Sequence, residues 1–575
     1  MEKNIVNCNQ SKYDFLYENN KNYMNYTALS FMPPKGKEVK VTYEQLHYKI
    51  YQYANALSGY GIKKGDKVGV CVINTPESVY LLYALDKIGA TVIGLSPLNN
   101  AYKMRKDLEM TRPDVVITVD LFYPLIRDCE REMGFSTVLY SPIESVNNPI
   151  LKFLYNAKQK YSGNYTNYKY YLKNILNNQI NEVIDYPYYQ KDDVTDIMFT
   201  GGSTGVHKGV ELSSEGLNTL VANLDEMFEM EPGMIHFGQI PIGHMVYGKM
   251  IMHYSLAHNL EYALTLKAMP EDFYDELKRI NPHAAVGGPI HWDALLGNDC
   301  DGNKIINLKL IKNSLTNLKY ATSGGEATKK ENIILENKAL QYCGSKARLG
   351  DGLGTTEMWS AISINNGTNT LGSLGKTISS ISYKIIDPVT RNEILDNRPG
   401  ELHVSGPTMM LGYYNNPSET DKVIYYDEQN IRWYNTGDIV KRTNVLGELM
   451  YVGRQKRNFV CGVDNIYPEE IEDLLQKIPE IREVIVTKIP DDDKQNLPKY
   501  HISVYDMPPI SQINSLKDKI TDLIINTLGE SALPGYIEYY DEPLKRTDNS
   551  KLDVKFYQNK DIEEVKSQKC MIKYR

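Results

Sequence analysis

Three apolar strand-like runs, Lys67–Ile73, Ala90–Leu95 and Asp114–Val119, are separated by helical stretches. This alternation limits the fold more than any other feature of the chain. Pro76 opens one of the intervening helices, with Val79, Leu82 and Tyr83 on its apolar face. Strand–helix–strand repeats predict an α/β fold whose parallel sheet is covered on both faces. Upstream, Thr42-Tyr-Glu-Gln45 reads as a capping box, opening a helix that runs to about Ser58 and stops at Gly59-Tyr-Gly61. No internal repeat is visible.

The chemistry is concentrated in Phe199-Thr-Gly-Gly-Ser-Thr-Gly-Val-His-Lys-Gly-Val210. A short buried strand, Thr195–Phe199, leads into it. A helix is predicted from Ser213, with Leu217, Leu220, Val221, Leu224, Met227 and Phe228 at helical spacing. Thr200, Gly201, Gly202, Ser203, Thr204 and Gly205 offer hydroxyls and closely approachable backbone N–H groups, and Lys208 adds positive charge. The combination suits a polyphosphate. It is not a P-loop, because Gly209 stands where that motif requires Ser or Thr after the lysine. Gly375-Lys376-Thr377 supplies that dipeptide but has Thr370 in place of the leading glycine. Taken alone, residues 200–209 could equally be a plain surface loop.

Further signals follow in order: Pro241-Ile-Gly-His244, Ser323-Gly-Gly-Glu326, Asp351-Gly-Leu-Gly-Thr-Thr-Glu357, Gly400-Glu-Leu402, Tyr434-Asn-Thr-Gly-Asp438, Gly453-Arg-Gln-Lys456 and Arg546-Thr-Asp-Asn-Ser-Lys551. Together with the 199–210 loop, they resemble the motifs of the adenylate-forming superfamily: acyl-CoA synthetases, luciferases and peptide-synthetase adenylation domains. The resemblance covers nearly the whole chain. It implies a large N-terminal domain of parallel-sheet subdomains with covering helices, residues 1–454. A smaller, mobile α+β domain, residues 455–575, is implied to follow, with Lys456 as the hinge.

The same resemblance implies site roles. The 200–205 loop and Lys208 would hold phosphates, and the backbone at Gly325 and Glu326 would lie along the adenine edge. Asp351, Gly352 and Leu353 join the nucleotide set, Leu353 standing where many relatives carry an aromatic ring against adenine. Asp438 would bind the ribose hydroxyls, Arg454 ribose or phosphate, and Glu357 the metal. Lys551, Thr356 and His244 form the catalytic set. Gly462 faces the thiol, in a segment ending Asn-Ile-Tyr-Pro468 that is similar to the acyl-CoA synthetase form, with Val463 replacing its second glycine.

The implied activity is condensation of a carboxylic acid, a fatty acid first and an aryl acid second, with Mg2+-bound ATP, then transfer to coenzyme A. Two alternatives stay open: loading of a carrier-protein thiol, and a nucleotide-binding scaffold that has lost catalysis. No carboxylate lies within Ile240–Tyr247 to pair with an α-ammonium, which favours an acid without one.

Composition removes other classes. A net charge of −8 over 575 residues, with 24% charged residues, argues against a general nucleic-acid binder. The seven cysteines form no CxxC pair, so neither a zinc site nor a disulfide framework is expected. No apolar stretch approaches the length of a membrane span, and the chain is expected in the cytoplasm, without integral membrane association.

Overall fold

The computed structural model describes residues 7–33, 37–142, 152–155, 157, 171–177, 186, 189–200, 208–267, 269–298, 304–325, 328–367, 370–443, 447–455, 457, 459–461, 464–491, 495–505, 510–546 and 552–566. They form a mixed α/β structure of two compact units. One comprises Met1–Tyr383, Val404–Tyr434 and Thr443–Leu449; the other comprises Lys384–His403, Asn435–Arg442 and Met450–Arg575.

Two large sheets build the first unit. In one, Gly412–Tyr413, Gly209–Leu212, Asp196–Phe199, Thr91–Gly94, Lys67–Cys71, Val115–Val119 and Ser136–Tyr140 lie side by side. The last five of these strands pair in parallel, as the strand–helix alternation predicts. The other sheet has nine strands and centres on Leu349–Thr355, Tyr320–Ser323, Ala284–Gly287, Ile235–Gly238 and Glu261–Thr265, again in parallel. Covering helices carry the caps read from sequence. The Thr42 capping box opens Tyr43–Tyr60, and the helix ends on Gly61 in the left-handed region. Pro76–Ile88 starts with Thr75 as cap and proline in its first turn. Lys376–Thr377 is an edge strand of the nine-stranded sheet, not the end of a phosphate loop.

A buried charge cluster ties the start of the Asp196–Phe199 strand to four helices. Lys12 and Lys249 each bond to one carboxylate oxygen of Asp196. Lys12 also lies 3.3 Å from Asp86, which accepts from the Tyr13 N–H at 2.8 Å and the Ser214 hydroxyl at 3.1 Å. Burial works against the charge on Asp196, yet the two ammonium groups hold its carboxyl below the ordinary value. Such a cluster adds little net stability over an apolar core, but removing one partner would leave a buried charge uncompensated.

The second unit packs Pro468–Leu475 and Ile510–Leu528 on a three-stranded sheet of Ile481–Asp491, Gln495–Val504 and Tyr536–Tyr540. Ile471, Leu475, Val486, Tyr500, Ile502, Ile520 and Ile524 fill its core. The helix Val554–Lys566 closes the described chain.

Glu336 is a buried exception in the first unit, fully enclosed on Lys330–Tyr342 with neither carboxylate oxygen hydrogen-bonded. Burial first, then the nearby Asp293 and Asp351, push it up to about 8. The folded protein therefore keeps a proton there that the unfolded chain sheds near its ordinary value of 4.5. Stability from this group is fully present below that pH and is lost as pH rises through about 8. The slope is roughly 1.4 kcal/mol per pH unit. Glu336→Gln should flatten this fall, so urea unfolding at pH 5 and pH 8 should differ less for the variant than for the parent chain. An unchanged difference would refute the assignment.

Candidate active site

The strands flanking residues 200–208 form a hairpin. Asp196–Phe199 and Gly209–Leu212 run antiparallel with Phe199 opposite Gly209, and the Thr200 N–H donates to the Lys208 carbonyl at 3.0 Å. The sequence suggested strand, loop and helix; a second strand stands between loop and helix. Ser213 then caps Ser214–Leu224, so the strand Gly209–Leu212 separates this helix from the end of the loop at Lys208. Gly201, Gly202, Ser203, Thr204 and Gly205 lie outside the described residues; Thr200 and Lys208 mark the ends of the loop. The helix stops at Leu224, short of Met227 and Phe228, and Phe228 packs edge-on against Tyr320.

Gly412–Tyr413 adds to the far edge of this hairpin, with Tyr413 opposite Val210. That register brings three distant motifs together. The Lys208 ammonium sits 2.6 Å from Glu419 and 4.5 Å above the Tyr413 ring, and the Tyr413 hydroxyl donates to Glu357 Oε1 at 2.8 Å. Hydrogen bonds from Lys208 and Lys422 pull the Glu419 carboxyl down to about 2. Sequence reading placed Lys208 and Glu357 in the site but missed Tyr413 and Glu419. Tyr413 is one of 44 tyrosines and carries no local signal.

Glu357 rides on a tight turn, Thr356–Met358, at the end of the Leu349–Thr355 strand. Its carbonyl accepts from the Met410 N–H at 2.7 Å. Trp359 ends the turn in the left-handed region and donates from its indole to the Ser213 carbonyl at 2.8 Å. A Cβ at Gly216 would stand 2.6 Å from that ring, so glycine is needed for the helix to approach it. The turn bearing Thr356 and Glu357 is thereby locked to the helix that follows the loop. The Thr355 hydroxyl is buried with no hydrogen-bond partner.

Beside this patch lie the ends of the parallel strands, where open α/β sheets place ligands. His244 has a buried Nδ1 without a partner, and burial, then the charge of Lys249, draws its ring down to about 4; it is neutral at pH 7. The segment packs closely, since a Cβ at Gly94 would come within 3.0 Å of the His244 Cα. The buried Tyr247 hydroxyl, also unpartnered, faces Gly324. Asp351 accepts N–H groups from Thr328 at 2.8 Å and Gly352 at 3.2 Å, yet burial raises it to about 6. Leu353 is buried in the hairpin with Ser360–Ile364. Gly325 takes a left-handed φ of 92°; Glu326 lies outside the described residues.

The second unit holds its own cluster. Asp438 is fully buried and pairs with Arg454, whose Nε lies 2.8 Å from Asp438 Oδ1. Thr436 orients this part of the Arg432–Arg442 strand by accepting from the Asp438 N–H at 3.0 Å and donating to the Leu402 carbonyl at 2.9 Å. Glu401, from the Gly-Glu-Leu motif, ties Arg391 and Gln455 to the same region. Lys456, Gly462 and Lys551 lie outside the described residues.

The mixed α/β fold and the family match over most of the chain define the class: this is an enzyme of the adenylate-forming type. The chain belongs to the AMP-binding enzyme family, which matches residues 16–414. It is 26% identical over 476 residues to a long-chain-fatty-acid–CoA ligase of Bacillus subtilis, covering 81% of this chain and 80% of that one. Among solved structures, ATP-bound MatB from Rhodopseudomonas palustris aligns with TM-score 0.75 at 18% identity, covering 95% of this chain and 98% of the other. The anthranilate CoA ligase AuaEII with anthranoyl-AMP aligns with TM-score 0.73 at 19% identity over 97% and 98%. No helix among the described residues is long and apolar enough to cross a membrane.

Proposed function

We propose that this enzyme is an AMP-forming acid–thiol ligase. It joins a carboxylic acid, in the first instance a fatty acid, to the α-phosphorus of ATP, releases pyrophosphate, and passes the acyl group to coenzyme A. The observation that carries the reading is the patch in which Lys208, Tyr413 and Glu357 meet at the base of the polyphosphate loop. Relatives that share four-fifths of the chain and are long-chain-fatty-acid–CoA ligases support the choice of acid.

The chemistry needs no covalent enzyme intermediate. Two anions must be aligned and their growing charge neutralised. Lys208 supplies a cation at the loop; in free enzyme Glu419 occupies it, so a bound polyphosphate would compete with that carboxylate. His244, neutral at working pH, can donate or accept a hydrogen bond at the acid without adding charge. Thr356 is assigned to the α-phosphate, Asp438 and Arg454 to the ribose side, and Gly325, Asp351, Gly352 and Leu353 to the base. Glu357 fits a magnesium ion: it is a hard oxygen donor with one oxygen committed to Tyr413 and the other remaining. When bound, the metal would screen phosphate charge.

Residues from about 455 onward are proposed to move as one domain about Lys456, alternating Lys551 with the Gly462 face. The cytoplasm is the proposed location; no disulfide is found among the described cysteines.

The test is ATP–pyrophosphate exchange with dodecanoate and benzoate, followed by addition of coenzyme A. Exchange with at least one acid and formation of its acyl-CoA are expected. Exchange that stalls at the adenylate until a carrier protein is added would replace the thiol assignment. No exchange with any acid would favour the scaffold alternative.

A further inference from the structure

The loop that ends in Lys551 springs from a stem that the structure describes on both sides. Arg546 and Leu552 form an antiparallel bridge, and the Asp553 N–H donates to the Lys545 carbonyl at 2.8 Å. Glu483 holds the outer strand, accepting from the Leu544 N–H at 2.7 Å and pairing with Arg546.

A further hold on the stem comes from the helix Val554–Lys566. The Tyr557 hydroxyl accepts the Lys545 N–H at 2.9 Å, and the Lys545 ammonium lies 3.9 Å over the Phe556 ring. Tyr557 is 4% exposed, with its ring 4.8 Å from that of His501. One helical turn further on, at the spacing that puts two side chains on one face, Asp561 enters the core. It takes Lys499 at 2.7 Å and His501 Nε2 at 3.0 Å, and Thr487 donates to it as well. Lys499, His501 and Asp561 are each at most 2% exposed. Asp561, His501 and Glu538 are near enough to suggest a metal site. The Lys499 ammonium, 3.1 Å from Glu538, already supplies the positive charge there.

Burying this cluster is a poor way to gain stability, but it fixes the rotation and depth of the helix. What that fixing sets is the position of the Tyr557 hydroxyl against the stem. We propose that Tyr557, held by the Asp561–Lys499–His501 cluster, is a positioning residue for the first half-reaction, acting through the loop that carries Lys551. The inference rests on the reading of Lys551 as the adenylation lysine.

Tyr557→Phe keeps the ring and removes only the acceptor. With dodecanoate and benzoate as probe acids, kcat for pyrophosphate exchange should fall about tenfold, the cost of loosening a positioned catalytic group. KM for ATP should hold, and acyl transfer from supplied acyl-adenylate to coenzyme A should stay within twofold. In a Lys551→Ala background the same change should have no further effect. Asp561→Asn, a second variant on the same helix, should give the same split. Equal loss in both half-reactions would mean a merely structural role and would overturn the proposal. So would an unchanged exchange rate in Tyr557→Phe when Lys551→Ala strongly depresses exchange. Full exchange in Lys551→Ala would overturn the Lys551 reading, and the Tyr557 proposal with it.

Discussion

Lys551→Ala should depress acyl-adenylate formation by about 10²–10³-fold, the loss typical of removing one preorganised donor from a transition state that builds negative charge. Transfer of the acyl group from supplied acyl-adenylate to coenzyme A should remain within a few-fold of the parent rate. The asymmetry follows from the division of labour proposed for the 455–575 segment, in which Lys551 serves the first half-reaction and the Gly462 face the second. The Arg546–Leu552 bridge and the contacts of Lys545 preset the ends of the loop, so truncating its last side chain leaves the stem intact. Measuring the two half-reactions separately decides the matter. Parallel losses in both would refute an alternation between two arrangements.

The fold was legible wherever local patterning and tertiary demand agree. The Thr42 box, the Pro76 start and the parallel core strands were all readable because each rests on neighbouring residues. The strand Gly209–Leu212 was not. Four residues give no period, and their conformation is set by pairing with Asp196–Phe199. Met227 and Phe228 continue the helical spacing, but Phe228 gains its burial by packing on rings at Tyr254 and Tyr320.

Long-range chemistry was still less visible. Lys12 and Lys249 share Asp196 across 184 and 53 residues, and nothing near any of the three announces the others. Motif residues such as Lys208, Glu357 and Asp438 could be singled out as candidates because their types and order are distinctive. The tyrosine that joins Lys208 to Glu357 could not, since only the register of Gly412–Tyr413 on Gly209–Leu212 puts it there.

Discrimination by a factor of about 10²–10³ against an α-amino acid is expected when dodecanoate is compared with 2-aminododecanoate in pyrophosphate exchange, as kcat/KM. An ammonium near His244 would meet a neutral ring, because burial draws that histidine down to about 4. The charge of Lys249, which helps lower it, would also repel a second cation. Ile240–Tyr247 contains no acid, and Asp351, whose field reaches Tyr247, already accepts N–H groups from Thr328 and Gly352. Leaving a buried charge unpaired costs about 3–5 kcal/mol, and each 1.4 kcal/mol is roughly a factor of ten. Partial hydration of the ammonium would lower the penalty, so the lower end of that energy range sets the expected factor. The desamino acid needs no counter-charge beyond what orients its carboxylate, and would meet only neutral, largely apolar residues in Ile240–Tyr247. A higher kcat/KM for the amino acid would mean that a carboxylate reaches the bound acid, and would overturn the assignment of substrate class.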